Sequence, residues 1–344
     1  MNKRKCLLLV NILCVLSIPI PIIAADSPDA NEVLRRFAEA RKNFTSFILE
    51  TKEEGTFDYP ADNTSGKRHQ KIECRFDGSR GRIRYKVWGT VGFNEYASED
   101  KARYLSQLWD GENYYNYSRR VAASEPDIVI MARSKDPGGV TKGMKTLVQF
   151  SDVPGLMMGY IRGVGIDKIL ACAEHLKMRQ EKFRGVDCYV IDAAVKEYGN
   201  YTLWIDPTHD YHIIKSRSRQ KEGDFIFSQT RKLPKNSSRD TTFEVLEFQQ
   251  IEGLWFLKQI KTTDQRIDAG NLGGESKIFD ITSIVLNPDH EALRSFIPDD
   301  IPNGATVLIT ALSPSIEYIW QDGKLLDGKG NVIMDCRPKD KKEK

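Results

Sequence analysis

Residues 201–216 have the sequence Tyr-Thr-Leu-Trp-Ile-Asp-Pro-Thr-His-Asp-Tyr-His-Ile-Ile-Lys-Ser, and they indicate the fold more directly than the rest of the chain. The first five residues are rich in aromatic and β-branched side chains, and so are residues 211–216. Asp206-Pro207 lies between these two runs and is typical of a turn. Two such runs around a polar turn are characteristic of an antiparallel hairpin. We therefore expect a fold built mainly from antiparallel strands.

The same pattern recurs along the chain. Ile83, Tyr85 and Val87 alternate with basic residues, which predicts a strand with one apolar and one charged face. Roughly a dozen such runs with short turns between them favour an antiparallel sheet or a partial barrel. The other predicted turns contain Asp77-Gly78-Ser79, Asp110-Gly111, Arg184-Gly185 and Glu252-Gly253.

One helix is predicted ahead of these strands, over residues 29–44. Apolar residues recur at helical spacing from Val33 and Phe37 onward, which produces one apolar stripe. Asp29 and Glu32 have the spacing of a capping box, a common start of a helix. The sequence therefore predicts an amphipathic helix followed by many strands.

The composition of the 344 residues limits the class of protein. Hydrophobic residues make up 40% and charged residues 29%, which excludes a disordered chain, a collagen and a polytopic membrane protein. The 51 basic and 48 acidic residues argue against a dedicated DNA-binding protein. The length allows one large domain or two smaller ones.

Residues 1–25 have the features of a secretory signal peptide. Basic residues at positions 3–5 precede an apolar run that ends in Ala24-Ala25. An asparagine and two prolines interrupt this run, which disfavours a permanent membrane-spanning helix, and an uncleaved anchor is the alternative. The rest of the chain has 48 basic and 48 acidic residues. We therefore expect a neutral mature protein in the periplasm or outside the cell.

The segment 138–176 differs in composition from the predicted strands. It is rich in glycine up to residue 165 and contains Met144, Met157 and Met158. Glycine allows a chain to hinge, and methionine adapts to varied apolar partners. Residues 166–176 have the apolar spacing of a helix. The segment is predicted to be a helical, lid-like insertion, and a loop with short core helices is the alternative.

Residues 291–344 are predicted to form an extension beyond a main domain at 26–290. Residues 316–333 are expected to add a strand hairpin, and residues 337–344 form a basic tail. Four cysteines follow the signal segment, and either disulfides or buried thiols fit an exported chain with a large core. These cysteines are Cys74, Cys172, Cys188 and Cys336.

Signals of catalysis are weak. The chain contains no motif of a zinc protease, a serine hydrolase or a nucleotide-binding loop. His209 and His212 lie close to Asp206, but this spacing matches no zinc motif and a polar turn accounts for it. Cys172 and His175 would lie one helical turn apart, where a partly buried thiol is the simpler interpretation. We therefore expect no catalytic residue, no metal and no cofactor, and hence not an enzyme.

Four short phrases of the sequence stand out: residues 108–111 (Leu-Trp-Asp-Gly), 183–190 (Phe-Arg-Gly-Val-Asp-Cys-Tyr-Val), 201–207 (Tyr-Thr-Leu-Trp-Ile-Asp-Pro) and 251–256 (Ile-Glu-Gly-Leu-Trp-Phe). They resemble the LolA-like superfamily of lipoprotein carriers and outer-membrane lipoprotein-sorting proteins. The resemblance covers roughly residues 31–290, and its motifs are hairpin signatures that specify the fold better than an activity. The chain departs from that family in its C-terminal extension and in the absence of an acylation cysteine.

The resemblance implies a mainly β (α+β) fold, in which a curved antiparallel half-barrel sheet encloses the N-terminal helix beneath a lid-like insertion. It also implies an apolar concavity, which a strongly bent sheet with alternate side chains inward can form. Simple core packing is the alternative for each residue, because buried aromatic side chains usually serve packing. The candidate ligand-binding residues are Phe47, Leu49, Ile83, Tyr85, Trp109, Met144, Leu156, Met157, Trp204, Phe243, Val245, Trp255 and Leu257.

Two functions are compatible with these features. The first is an exported, non-enzymatic binder or carrier of lipid or lipoprotein acyl chains in the cell envelope. The alternative is an envelope sensor or interaction protein that binds a membrane-protein partner, which the extension 291–344 favours slightly. Neither function involves nucleic acid, because the basic strands alternate as solvated faces.

Overall fold

The structure is a computed structural model. It describes residues 28–42, 44–91, 94–96, 98–119, 127–133, 152–157, 159–161, 164–225, 232–268, 270–309 and 316–337. The predicted signal segment, Met144 and most of the glycine-rich part of the insertion lie outside the described residues.

Three α-helices are present in the described part of the chain. Helix α1 (Ala30–Arg41) begins at Asp29, whose carboxylate accepts a hydrogen bond from the Glu32 amide at 2.8 Å. This contact satisfies one of the unpaired amides at the helix start. Helices α2 (Asp152–Met157) and α3 (Ile166–Ala171) have only six residues each.

The remaining elements are mostly strands, which confirms the mainly β class. Short 3-10 turns lie at Pro60–Asp62 and Glu99–Lys101. The strands are β1 Phe47–Tyr59, β2 Thr64–Phe76, β3 Gly81–Val91, β4 Asn94–Tyr96, β5 Arg103–Trp109, β6 Asn113–Arg119, β7 Ile128–Arg133, β8 Tyr160–Ile161, β9 Val164–Gly165, β10 Ala173–Phe183, β11 Val186–Val195, β12 Gly199–Asp206, β13 His212–Lys221, β14 Ser238–Ile251, β15 Leu254–Asp268, β16 Asn271–Leu286, β17 Thr306–Ile309, β18 Glu317–Gln321, β19 Lys324–Leu326 and β20 Val332–Asp335.

Eighteen of these strands form one open, curved sheet. Strands β10 to β16 follow one another as an antiparallel meander, and β16 pairs with β1. The sheet continues through β2, β3, β5, β6 and β7, while β4 pairs with the end of β3. Strand β17 then adds to β7 in parallel, and β18, β19 and β20 complete the edge.

Local backbone features explain why this sheet turns and bends. The predicted turns join β2 to β3, β5 to β6, β10 to β11, β12 to β13 and β14 to β15. Glu252 and Gly253 both have positive φ, as a tight hairpin turn requires. The register shifts opposite Glu50 and Thr51, where β16 has one extra residue, and opposite Trp204 and Ile205, where β13 has one extra residue. Such bulges bend a strand and increase its twist.

One face of the sheet, called the inner face here, packs against the helices. Leu49, Cys74 and Ile83 are cross-strand neighbours on this face, as are Phe279 and Ile260. The buried residues that it shares with the helices form the inner cluster. Its sheet members are Phe47, Leu49, Ile72, Cys74, Ile83, Trp109, Ile191, Ala193, Val195, Tyr201, Leu203, Ile205, Ile213, Phe243, Val245, Phe256, Leu257, Ile260, Phe279 and Ile281.

A second core, the outer cluster, lies on the opposite face of β5, β6 and β7. The C-terminal segment covers this face, because β17 pairs with β7 and residues 296–305 pack beside it. The outer cluster contains Leu108, Tyr115, Tyr117, Val129, Met131, Phe296, Ile301, Ala305, Val307, Ile309, Tyr318, Trp320 and Leu325.

Two boundaries differ from the sequence-based predictions. Helix α1 ends at Arg41, three residues before the predicted end. The predicted helix over 166–176 is wrong beyond Ala171, because β10 begins at Ala173 and pairs with β11 along its length. Cys172 and His175 are therefore not one helical turn apart. In the segment 316–333, β18 and β19 form a hairpin, and β20 begins at Val332.

Candidate functional site

The inner cluster is the candidate site, because it contains most of the predicted ligand-binding residues. Phe47, Leu49, Ile83, Trp109 and Leu257 are almost fully buried there. Phe243, Val245 and Met157 belong to the same cluster, and Tyr85 packs against it. The alternation of side chains along β1, β3 and β14 brings these residues together, as the sequence predicted.

Two predicted residues do not belong to this face. Trp204 lies between Leu203 and Ile205, which both point inward, so its own side chain faces the other side of β12. It packs there with Cys188, Val190 and Ile214. Trp204 shares this face with polar Thr202 and Asp206, so its place in the alternation already pointed outward, and its aromatic side chain alone suggested the inner face.

Trp255 is also placed differently from the prediction. It follows the tight turn between β14 and β15 and is only half-buried. Its ring contacts His209, with centroids 4.5 Å apart, and lies near Phe248. Phe256 takes the buried position that the sequence assigned to Trp255. Met144 and the side chain of Leu156 lie outside the described residues.

The three helices cover the inner face. Helix α1 contributes Val33 and Phe37, whereas α2 contributes Val153 and Met157. Helix α3 contributes Ile166, Ile169 and Leu170, all buried in the same cluster. A helix of six residues is not stable in water by itself, because nucleation is unfavourable. Helices α2 and α3, called the capping helices here, therefore depend on these apolar contacts.

Arg41, at the end of α1, links the capping helices to the sheet. Its Nη1 donates to the Met157 carbonyl at 3.5 Å and to His212 Nδ1 at 2.7 Å. Its Nη2 donates to the Asp210 carbonyl at 3.1 Å. Desolvation lowers the pKa of Arg41 to about 10, although the Asp210 carboxylate opposes this shift. The guanidinium stays charged near neutral pH and joins α1, α2 and the turn before β13.

His212 is buried at the centre of this junction. Its Nε2 lies 2.7 Å from the Trp255 carbonyl, which only an N–H can satisfy. Since Nδ1 accepts from Arg41, the ring is the neutral Nε2–H tautomer. Burial lowers the pKa of His212 well below 6.5, and the Arg41 charge acts in the same direction. His212 is therefore neutral while this arrangement persists.

The turn before β13 presents these groups to α1. Asp206 is buried and accepts hydrogen bonds from the Thr208 amide and from His209 Nδ1 at 2.7 and 2.6 Å. Asp210 and Tyr211 both have positive φ, so the turn is locally strained. Among the described residues, no group of three or more His, Cys, Asp or Glu side chains could hold a metal ion. The sequence marked this turn as a polar loop, and its contact with α1 could not be read from local pattern.

The far end of the inner face is charged. On this face of β14, Arg239 lies four residues before Phe243. On the same face of β15, Asp264 lies four residues after Ile260. Asp264 is paired with Arg239 at 2.6 Å and with Arg266 at 2.7 Å. The apolar part of the inner face thus ends before these charged residues.

A separate groove of about 490 Å³ crosses β1, β2 and β3. Its lining includes Lys52, Lys71, Glu73, Arg84 and Lys86. This mixture of charges does not suit an acyl chain, so the groove is a poor candidate for the predicted lipid.

The cysteines have no catalytic arrangement among the described residues. Cys74 and Cys188 are buried thiols, and Cys172 is exposed at the end of α3. Burial raises the pKa of Cys188 to about 11, which leaves it protonated at neutral pH. A thiol of this kind is a packing residue rather than a nucleophile. No helix in the described part of the chain is long and apolar enough to cross a membrane.

Comparisons with known proteins give similarities to solved structures only. No family model matches the chain, and no curated protein matches it. One similar structure is a LolA superfamily protein from Nitrosomonas europaea, with 15% identity, a TM-score of 0.37, and coverage of 79% of this chain and 99% of that one. A second is a DUF1329 family protein from Desulfovibrio piger, with 10% identity, a TM-score of 0.42, and coverage of 80% and 100%.

A third similar structure comes from Vibrio parahaemolyticus and is described as an outer membrane lipoprotein-sorting protein domain. Its identity is 11% and its TM-score 0.41, and the match covers 75% of this chain and 92% of that one. Likenesses at this level carry no information about ligands, so the functional argument rests on the chain's own residues. Solved structures of the LolA superfamily are thus among those that this chain resembles.

Proposed function

We propose that this protein is an exported, non-enzymatic binder or carrier of lipid or lipoprotein acyl chains in the cell envelope. The observation that carries the proposal is the inner cluster, an apolar sheet face covered by two helices too short to be stable alone. An acyl chain would take the place of the capping helices against the sheet. Such binding requires no catalytic group and no cofactor.

The energies of this exchange are of similar size. The capping helices bury five large apolar side chains, which at about 1.5–3 kcal/mol each amounts to about 7–15 kcal/mol. A palmitoyl chain buries roughly 15 carbons at about 0.8 kcal/mol each, or about 12 kcal/mol. The state covered by the capping helices and the state with a bound acyl chain therefore differ little in free energy. A carrier needs this balance, because it must both accept and release its ligand.

The exchange can be tested with two conservative variants. Ile169→Val on α3 weakens a contact that exists only while the capping helices are in place. It should therefore raise the affinity for a fluorescent palmitate analogue by about twofold to tenfold, from a cost of about 0.5–1.5 kcal/mol. Ile260→Val on the sheet is the matched control, since the chain would contact this residue in the bound state as well.

The control should leave the affinity unchanged or lower it. Native mass spectrometry of the purified protein with added palmitate should show one adduct of acyl-lipid mass. Absence of any adduct, together with no binding of the fluorescent analogue by either variant, would contradict the proposed function. Equal changes of affinity in the two variants would still support lipid binding, but they would contradict displacement of the capping helices by the acyl chain.

A second candidate is an envelope protein that binds a membrane-protein partner. The observation in its favour is a set of exposed apolar side chains on β7, β18 and β20, at the edge of the sheet that the C-terminal strands complete. Ile130 and Ile319 are each 39% exposed and Val332 is 55% exposed. Ile319→Gln should abolish crosslinking to an envelope partner and leave binding of the palmitate analogue unchanged. Loss of lipid binding instead would assign this surface to the first function.

A further inference from the structure

His212 occupies the point where the cover of the inner cluster meets the sheet. Through Arg41 it is connected to the last carbonyl of α2, and through its own Nε2 it is bonded to the Trp255 carbonyl of β15. The phenyl ring of Phe44 lies 6.3 Å from the imidazole and Phe248 lies 5.6 Å from it. A single imidazole therefore joins α1, β13 and β15 beneath α2.

The groups around the imidazole oppose a second proton on it. Arg41 faces Nδ1 directly and needs that nitrogen as an acceptor. His209, the other titratable ring of the turn, lies on the same side and is bonded to Asp206. The Asp210 carboxylate accepts a hydrogen bond from the Trp255 amide at 3.0 Å, and the Asp210 backbone carbonyl accepts one from Arg41. The aromatic neighbours Phe44, Phe248 and Trp255 carry no charge. Among the described residues, the partners of the two ring nitrogens are Arg41 and the Trp255 carbonyl, and neither is a carboxylate.

We propose that protonation of His212 opens the cover of the inner cluster, so that an acyl chain, which takes the place of the capping helices, binds more tightly in mildly acidic surroundings. A proton on Nδ1 removes the acceptor for Arg41 and places two cations side by side. The Arg41 guanidinium then leaves this position and gives up the Met157 carbonyl of α2. This inference rests on the proposed function, because it concerns access to the same apolar face.

The direction of the effect follows from the two states of His212. In the covered state its pKa is well below 6.5, whereas an imidazole exposed to water titrates near 6.5. The open state therefore binds more protons below about pH 6.5, and acid favours it. The covered state should lose up to about tenfold in population for each pH unit below this value, until the imidazole is protonated in both states.

The experiment compares the wild-type protein with two variants at about pH 7.5 and about pH 5.5. The dissociation constant of the fluorescent palmitate analogue is measured at each pH, and the wild-type protein should bind more tightly at the lower pH. His212→Asn keeps an acceptor near the Nδ1 position but cannot titrate, so its affinity should not change with pH. His209→Asn is the matched control, because His209 lies in the same turn without contacting Arg41, and it should keep the wild-type gain in affinity.

Hydrogen exchange of the ligand-free wild-type protein gives a readout that does not depend on any variant folding. After correction for intrinsic rates, the amides of α2 should lose protection at the lower pH, while those of β1 should not. An affinity of the wild-type protein that does not rise at the lower pH, or an equal gain in His212→Asn, would overturn the switch while leaving lipid binding intact. Failure of the analogue to bind at either pH would instead count against the proposed function.

Discussion

Gly159 shows how a single residue holds the cover in place. It has a φ of +82° between α2 and β8, and its carbonyl accepts from the Ile166 amide at 2.9 Å. A β-carbon at this position would lie 3.0 Å from the Phe37 ring of α1. Only glycine allows the chain to pass this close to α1 with that backbone conformation.

Gly159→Ala should therefore loosen α2 and α3 from α1 and expose the inner cluster. We expect it to increase the fluorescence of a dye that binds apolar surfaces, since the added methyl group strains the backbone and displaces Phe37. Gly223→Ala is the matched control, because Gly223 has a φ of +86° and open space around its α-carbon. Equal dye binding by the two variants would assign the effect to backbone strain rather than to the contact with α1.

The sequence predicts inner-face residues well where apolar and polar side chains alternate. Ile83 is inward for that reason, and its neighbours Arg82 and Arg84 lie on the other face. Trp204 was assigned to the inner face for its aromatic side chain, although it alternates with the inward Leu203 and Ile205. Alternation cannot place Arg41 and His212, whose bond joins residues 171 positions apart. The position of Arg41 at the end of an amphipathic helix is the one sequence feature that points to this contact.

At the scale of elements, the C-terminal segment is fastened to β3 by a buried ion pair. Arg82 is 1% exposed and its Nη2 contacts Asp299 and Asp300 at 2.6 and 2.7 Å. Its Nη1 donates to the Ile297 carbonyl at 2.6 Å. Desolvation opposes ionisation of Asp300, but Arg82, the hydroxyl groups of Tyr104 and Ser106, and Arg84 together lower its pKa.

Arg82→Met should destabilise the protein strongly, because it leaves two carboxylates and a carbonyl without their buried partner. We expect the free energy of unfolding in urea to fall by about 3–5 kcal/mol. Arg179→Met is the comparison, since Arg179 is 45% exposed and its pair with Glu181 lies in solvent. This exposed pair should contribute less than about 1 kcal/mol. A similar loss in both variants would mean that the Arg82 pair does not fasten the segment.

The capping helices mark the limit of prediction at this scale. Apolar spacing predicted one helix through residue 176. The apolar residues do face the inner cluster, but they are divided between helix α3 and strand β10. Leu176 points to the inner face from β10, opposite Ala193 of β11. Pairing with a neighbouring strand outweighed the local helical preference, and a single sequence does not reveal which partner is available.

At the scale of the molecule, the sheet carries a core on each face, and the chain provides a cover for each. The inner cover consists of short helices that depend on apolar contacts. The outer cover is the C-terminal segment, which is fastened by the parallel pairing of β7 with β17 and by Arg82. Sequence patterns predicted added strands in this segment. They could not predict the parallel pairing, because β7 and β17 lie far apart in the chain.

Because the outer cover is fastened to the sheet and the inner cover is not, we expect displacement of the inner cover to be tolerated and loss of the outer cover to be damaging. Removing residues 291–344 would expose Leu108, Tyr115, Val129 and Met131 and leave Arg82 without either carboxylate. A contiguous apolar patch of this kind promotes association. We therefore expect the truncated chain to elute as aggregates in size-exclusion chromatography and to bind the apolar dye even with palmitate present.

Removal of residues 338–344 alone is the control, since it leaves the outer cluster and Arg82 intact, and this shorter truncation should elute as the full chain does. If the longer truncation were monomeric, with dye binding equal to that of the full chain, the C-terminal segment would be an appendage rather than part of the core. The outer cover would then be free to move, and both faces of the sheet would have to be considered as ligand surfaces. If the longer truncation aggregates as expected, the C-terminal segment has to stay in place for the protein to remain monomeric. Reversible opening is then possible only at the inner face, where burial of an acyl chain can compensate for displacement of the helices.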